Sequence, residues 1–169
     1  MVTLPRSEIF GKISNSRTPL EPCATFSAMS VKDSKSVTVN ASAADVLAKL
    51  RDVENQDQWF PGCIESEVLE TDDQGRPTRA RLINDAKVTK DEFQLDYAHT
   101  DNGMSWTLVE PTKVQKNQAG SWTVVDKGGK SECTLELEID TSMPLPGFIQ
   151  KKTLKDTLKG ATKALGDQF

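Results

Sequence analysis

Between Cys63 and Met143 apolar and polar residues alternate through six successive segments, after which Pro144-Leu145-Pro146-Gly147 leads into one long amphipathic helix. A period of two assigns one face of each segment to the interior and the other to water, as in half-buried strands. Ile64 to Thr71 reads as a strand, Asp72-Asp73-Gln74-Gly75 as a turn, and Arg79 to Asp85 as the next strand. Phe93, Leu95, Tyr97 and His99 then alternate with Gln94, Asp96 and Ala98 before Asp101-Asn102-Gly103 reverses the chain. Trp106 with Leu108, and Trp122 with Val124, continue the pattern. Cys133, Leu135, Leu137 and Ile139 complete it against Thr134, Glu136, Glu138 and Asp140. The connections are too short for parallel crossovers, so these strands form an antiparallel meander.

Upstream, Lys35 to Asn40 is a short alternating strand, and Ser42 offers an N-cap with Asp45 in the capping-box position. Val46, Leu47, Leu50 and Val53 give a helical stripe, and a second short helical piece from Glu54 to Trp59 must stop before Pro61-Gly62. In the final helix Leu154, Leu158, Ala161 and Leu165 form a stripe that faces the sheet. The predicted class is therefore α+β. A seven-stranded antiparallel curved sheet wraps a long C-terminal helix, with two short helices after the first strand. Residues 34–169 are expected as one such domain. Residues 1–33, interrupted by Pro5, Pro19 and Pro22 and without sustained periodicity, are expected as a flexible leader, with Met29 as an alternative start.

Composition narrows the function classes. A chain of 169 residues with 27% charged side chains suits one core of ordinary globular type. No stretch reaches the roughly 18 apolar residues that a membrane-spanning helix needs. A net charge of −4 weighs against nucleic acid as the main partner. Lys151, Lys155, Lys159 and Lys163, with Lys152 beside them, nevertheless make one side of the last helix basic. That side reads as a solvated surface or as a weak contact for an anionic membrane surface. Cys23, Cys63 and Cys133 are widely spaced and have only His99 to join them, so no metal site is expected. The start lacks the pattern of a secretory signal, which favours the cytoplasm and free thiols.

Candidate chemistry is sparse. Tyr97 and His99, the only tyrosine and histidine of the chain, share one strand and one phase with Phe93 and Leu95. Together they could hydrogen-bond a ligand or move protons, or they could be core and rim residues. Arg81 is ambiguous, since Ala80 and Leu82 place it outward and Ile83 argues the reverse; an inward Arg81 would need an anionic partner. Trp59 is expected to anchor the bend before Pro61, with Phe60 open between gate and core. Trp106 and Trp122 belong to the inner face and are large enough to fill it. Glu92, Asp96, Glu136 and Glu138 fall in the outward phase, which leaves no obvious inner carboxylate as a base. There is no Gly-x-Ser-x-Gly elbow, phosphate-binding glycine loop or His-Glu-x-x-His pair.

The order strand, two helices, six-stranded meander and long helix resembles the helix-grip fold of the START/Bet v 1-like (SRPBCC) superfamily. Asp52-Val53-Glu54-Asn55 with Trp59-Phe60-Pro61-Gly62 resembles its polyketide cyclase/dehydrase branch, and Gly75-Arg76-Pro77, Ser105 to Glu110 and Pro144 to Gly147 are consistent with it. The resemblance covers roughly Ser34 to Ala164. It implies a pocket between sheet and helix for a small hydrophobic molecule such as a lipid, quinone or polyketide, with no cofactor. The expected lining is Phe60, Arg81, Phe93, Leu95, Trp106, Leu108, Trp122, Leu135 and Leu137, with Tyr97 and His99 setting its polarity. Two alternatives stand beside this one: a polyketide cyclase or dehydratase using Tyr97 and His99 for acid-base chemistry, and a filled-core module that binds a protein.

Overall fold

A computed structural model describes residues 30–169; Cys23, Met29 and, apart from residues 30–33, the expected leader lie outside the described residues. Strand β1 (Val31–Val39) begins four residues before the alternating pattern was expected to start. The extension comes from pairing, since Val31 lies opposite Ile139 and the ladder runs unbroken to Val39 opposite Ser131. Local propensity in Val31 to Ser34 is weak, and a neighbouring strand overrides it.

Helix α1 (Ala43–Arg51) starts at Ser42 as the capping pattern predicts. The Ser42 hydroxyl accepts the Asp45 backbone N–H at 3.2 Å and donates to Asp45 Oδ2 at 2.8 Å. Val46, Leu47 and Leu50 turn inward. The second helical piece is a 3-10 helix over Val53–Gln58. It is tied to the sheet by Ser66 Oγ, which donates to the Val53 carbonyl at 2.6 Å, and by Glu54, which accepts the Val68 N–H at 2.6 Å.

The meander follows as β2 (Cys63–Thr71), β3 (Pro77–Asp85), β4 (Lys90–Thr100), β5 (Gly103–Leu108), β6 (Gln115–Asp126) and β7 (Ser131–Thr141). All neighbours are antiparallel, in the order β1-β7-β6-β5-β4-β3-β2. Helix α2 (Gly147–Gly166) buries Leu154, Leu158, Ala161 and Leu165, the stripe that the sequence pattern aims at the sheet. The fold is therefore the helix-grip arrangement: one curved sheet around one long helix. Among the described residues, no helix is long and apolar enough to cross a membrane.

The outer face of β2–β4 is built differently from the inner one. Arg81 faces out, with Nη1 2.6 Å from Glu65 and Nε 2.6 Å from Glu92, while Arg79 engages Asp96 at 2.6 Å. These hydrogen bonds lower the affinity of Glu92 and Asp96 for protons below the ordinary carboxyl range. The inward expectation for Arg81 is thus corrected. Ala80 and Leu82 hold the inner phase, and a ring of carboxylates on neighbouring strands satisfies the guanidinium in solvent, so it has no reason to enter the core.

Candidate functional site

A cavity of about 460 Å³ lies between the inner face of the sheet and the first half of α2. Its volume falls within the roughly 300–1,000 Å³ typical of small-molecule sites. One end is apolar: Leu82, Phe93, Leu95, Met104, Trp106, Trp122, Leu137 and Leu154 line it. Tyr97 adds a phenol to this end. Burial, with a smaller contribution from Cys63, pushes the pKa of that phenol far above its ordinary value, so it stays protonated at neutral pH.

The other end is polar. Asp91 and Gln115 are both 6% exposed, both line the cavity, and Gln115 Nε2 donates to Asp91 Oδ2 at 2.8 Å. Asn84 also lines it and lies directly across the β3–β4 ladder from Asp91. Its buried Oδ1 has no hydrogen-bond partner among the described residues. Gln118 and Gln150 extend this end, Gln150 being held by the Leu145 carbonyl at 2.8 Å. The contact between Gln115 and Asp91 exists because β5 stops at Leu108, opposite Leu95. Beyond that point no strand separates β4 from the start of β6.

The mouth is marked by exposed lining residues. Pro61 and Gly62 follow the 3-10 helix, Asp85 ends β3, Lys87 belongs to the β3–β4 turn, and Thr153 and Asp156 come from α2. Gly62 has φ +81°, which a side chain would strain, and its carbonyl accepts the Asp85 N–H at 2.8 Å, joining two sides of the rim. Trp59 and Phe60 stack edge to face at 5.7 Å, and both line the cavity while packing on the core. Trp59 is thus wall as well as anchor. The Asp52-Val53-Glu54-Asn55 motif acts one step removed. Asn55 Nδ2 donates to both Asp52 oxygens at 2.9 and 3.0 Å, and Glu54 clamps β2, so the motif positions the rim without reaching the cavity.

Of the expected lining residues, the structure brings together Phe60, Phe93, Leu95, Tyr97, Trp106, Trp122 and Leu137, and it leaves out four. Arg81 is on the outer face. Leu108 is half-buried at the last position of β5, packed on the edge of the core where the chain leaves the sheet. Leu135 is 0% exposed and surrounded by core, so close packing leaves no free volume beside it. His99 keeps the inner phase, but its Nε2 donates to the Pro77 carbonyl at 2.6 Å. Arg51, from α1, donates to Thr100 at 2.7 Å and joins the helix to that end of β4. Tyr97 and His99 therefore do not converge on the cavity.

Sequence reasoning missed Asp91, Asn84 and Gln115. A signal was available for Asp91, which shares the parity of Phe93, Leu95 and Tyr97; the aromatic run drew the pattern to start at Phe93. Gln115 had none, because its approach to Asp91 depends on where β5 ends. The aromatic side chains also leave space that the filled-core alternative did not expect. Gly120 lies opposite Trp106, and a Cβ there would overlap the Trp106 ring and come within 2.7 Å of Leu137 Cδ2. The indole thus lies across the β6 backbone.

A family described as polyketide cyclase / dehydrase and lipid transport matches residues 30–168. The chain belongs to this family. Solved structures share the fold seen here. A START superfamily protein from Mycobacterium smegmatis is 25% identical, with a TM-score of 0.76 over 81% of this chain and 95% of that one. The Zhui aromatase/cyclase from Streptomyces sp. R1128 is 16% identical, with a TM-score of 0.69 over 82% and 93%. A STAR-related lipid transfer protein from Xanthomonas axonopodis is 24% identical, with a TM-score of 0.64 over 81% and 84%. No curated protein matches the chain.

Proposed function

We propose that the protein binds one small, largely hydrophobic molecule in the cavity between the sheet and α2. The observation that carries this reading is the cavity itself, about 460 Å³ with an apolar end, a polar end and a rim built by three separate elements. Family membership and the likeness to a lipid transfer protein and an aromatase/cyclase support the same reading. Energetics set its scale. A ligand group the size of an aromatic side chain buries about 200 Å², worth about 5 kcal/mol at roughly 25 cal/mol per Å². Association costs of about 4 kcal/mol or more offset most of that. Shape alone therefore gives weak binding, and the polar end must supply discrimination.

Acid-base chemistry through Tyr97 and His99 finds less support. A general acid or base works best with a proton affinity near the operating pH, and the Tyr97 phenol is displaced far above it. His99 spends its Nε2 proton on Pro77 away from the cavity lining. The reading is tested by native mass spectrometry of the full chain purified gently from its own host. A reproducible added small-molecule mass is the expected result. A clean apo mass, together with no saturable binding from a panel of lipids, quinones and polycyclic aromatics, overturns it.

A further inference from the structure

The chemistry of the polar end narrows what the ligand's head can be. Asp91 is a carboxyl buried in the wall of the cavity, and among the described residues Gln115 supplies the one hydrogen bond it receives. A carboxyl has several lone pairs and fills its capacity only with more than one donor. Across the ladder, Asn84 adds a second acceptor, an amide oxygen that is buried and unpartnered. Both residues line the cavity, as do Trp59 and Trp106, whose buried indole N–H groups are likewise without a partner among the described residues. With one donor on a carboxyl that lines the cavity, Asp91 has acceptor capacity left for a ligand.

The charges around the cavity point the same way. Its lining carries three carboxyl groups, Asp85, Asp91 and Asp156, against the single ammonium of Lys87, and it contains no arginine. Lys87 is exposed at the mouth, on the turn. Recognition of a carboxylate or phosphate relies on arginine forks, lysine or clustered N–H donors. Beside Asp91 the N–H donor is the Gln115 amide, which is already bonded to that carboxyl. An anionic head placed there would meet the Asp91 carboxyl, in a lining with three carboxyl groups and one ammonium, and be repelled.

We infer that the polar end is a subsite for a hydrogen-bond-donating head group, a hydroxyl or an amine, held by Asp91, and that it rejects carboxylate and phosphate heads. This inference rests on the proposal that the cavity holds a hydrophobic ligand, and it adds the class of that ligand. The bound molecule is an apolar ring or chain ending in an alcohol, phenol or amine; free fatty acids and anionic phospholipids fall outside the class. The apolar body lies against Phe93, Trp106 and Trp122, with the head toward the mouth. Gln115 is a positioning residue, since it orients Asp91.

The test uses probes with one body and different heads: 2-naphthalenemethanol, 2-naphthylmethylamine, 2-methoxynaphthalene and 2-naphthoate. Each is titrated into the full chain by calorimetry at neutral pH. The alcohol and the amine are expected to bind at least tenfold tighter than the acid and the methyl ether. In Asp91→Asn the preference for alcohol over acid is expected to shrink to threefold or less, because the repelling carboxyl is gone while an amide of the same shape remains. A melting temperature within a few degrees of wild type establishes that the variant is folded. The wild-type ranking is itself decisive and does not depend on the variant. Binding of the acid as tightly as the alcohol, or an unchanged preference in folded Asp91→Asn, overturns the donor-head inference and leaves the container reading standing. No saturable binding by any of the four probes overturns both.

Discussion

Asp91 and His99 stand eight residues apart on β4 in the same inward phase, yet only Asp91 lines the cavity. At the His99 end the sheet is complete, since β5 pairs with β4 from Thr100 back to Leu95, and α1 is tied to Thr100. A polar group there has the backbone to pair with, and His99 does so through Nε2 at Pro77, while its buried Nδ1 has no partner among the described residues. At the Asp91 end β5 has stopped, and the first half of α2 stands off the sheet across open space. The difference teaches that phase names a face, whereas strand length and helix distance decide whether that face meets packing or void.

The largest effect expected from testing this comparison lies in β7, where Leu135 belongs to the packed region and Leu137 to the cavity wall. Truncating a buried leucine to alanine costs about 2–5 kcal/mol, more where the surroundings cannot collapse. Leu135→Ala should fall in the upper half of that range. Leu137→Ala should cost at least about 1 kcal/mol less, because the side chain already borders empty volume. Urea denaturation of both variants decides it, and equal losses would mean that the two regions are packed alike.

Next in size is Gly120→Val. The added carbons compete with the Trp106 ring for one place, so overpacking should cost about 1–3 kcal/mol. The indole should be driven toward the cavity, with at least a tenfold loss in affinity for 2-naphthalenemethanol. Retained affinity with a shifted melting point would show that Trp106 moves elsewhere.

A smaller change follows from His99→Phe. Losing the hydrogen bond to Pro77 should lower stability by about 0.5–1.5 kcal/mol. Affinity for the naphthyl probes should stay within twofold. A tenfold change there would break the distinction between the two ends of β4 and bring His99 back as a site residue.

The smallest effect concerns the outer face and its response to acid. Glu92 has its proton affinity lowered, first by the hydrogen bond from Arg81 and then by the charge of that arginine. Its contribution to stability is therefore fully present above the ordinary value of 4.5 and is lost as pH falls through the lowered folded value. Glu92→Gln should flatten the loss of stability with falling pH in that acid range and change little at neutral pH. The pair is solvent-exposed, so raising the salt concentration should shrink the difference further. An unchanged acid slope would show that Arg81 gains nothing from Glu92 in solution.

Most of the fold was legible in the order of periods. The alternation of Phe93, Leu95 and Tyr97, the cap at Ser42 and the spacing from Leu154 to Leu165 each follow from local geometry, and the structure keeps all three. The first strand was read short because residues 31–34 become a strand through β7 rather than through their own propensity. The site was legible in part. Its apolar wall could be read from parity, whereas Arg81 could not be placed until Glu65, Glu67 and Glu92 were seen around it.

The sequence by itself determined the antiparallel meander, the closing helix, the inward faces and hence the family, because period and turn residues act over a few neighbours. Tertiary structure alone decided whether the grip holds a void. That outcome depends on Trp106 finding room over Gly120, on β5 ending before Asp91, and on Gln115 crossing the gap left there. Each is a contact between residues distant in the chain, and free volume arises from how such contacts fit together rather than from any one segment.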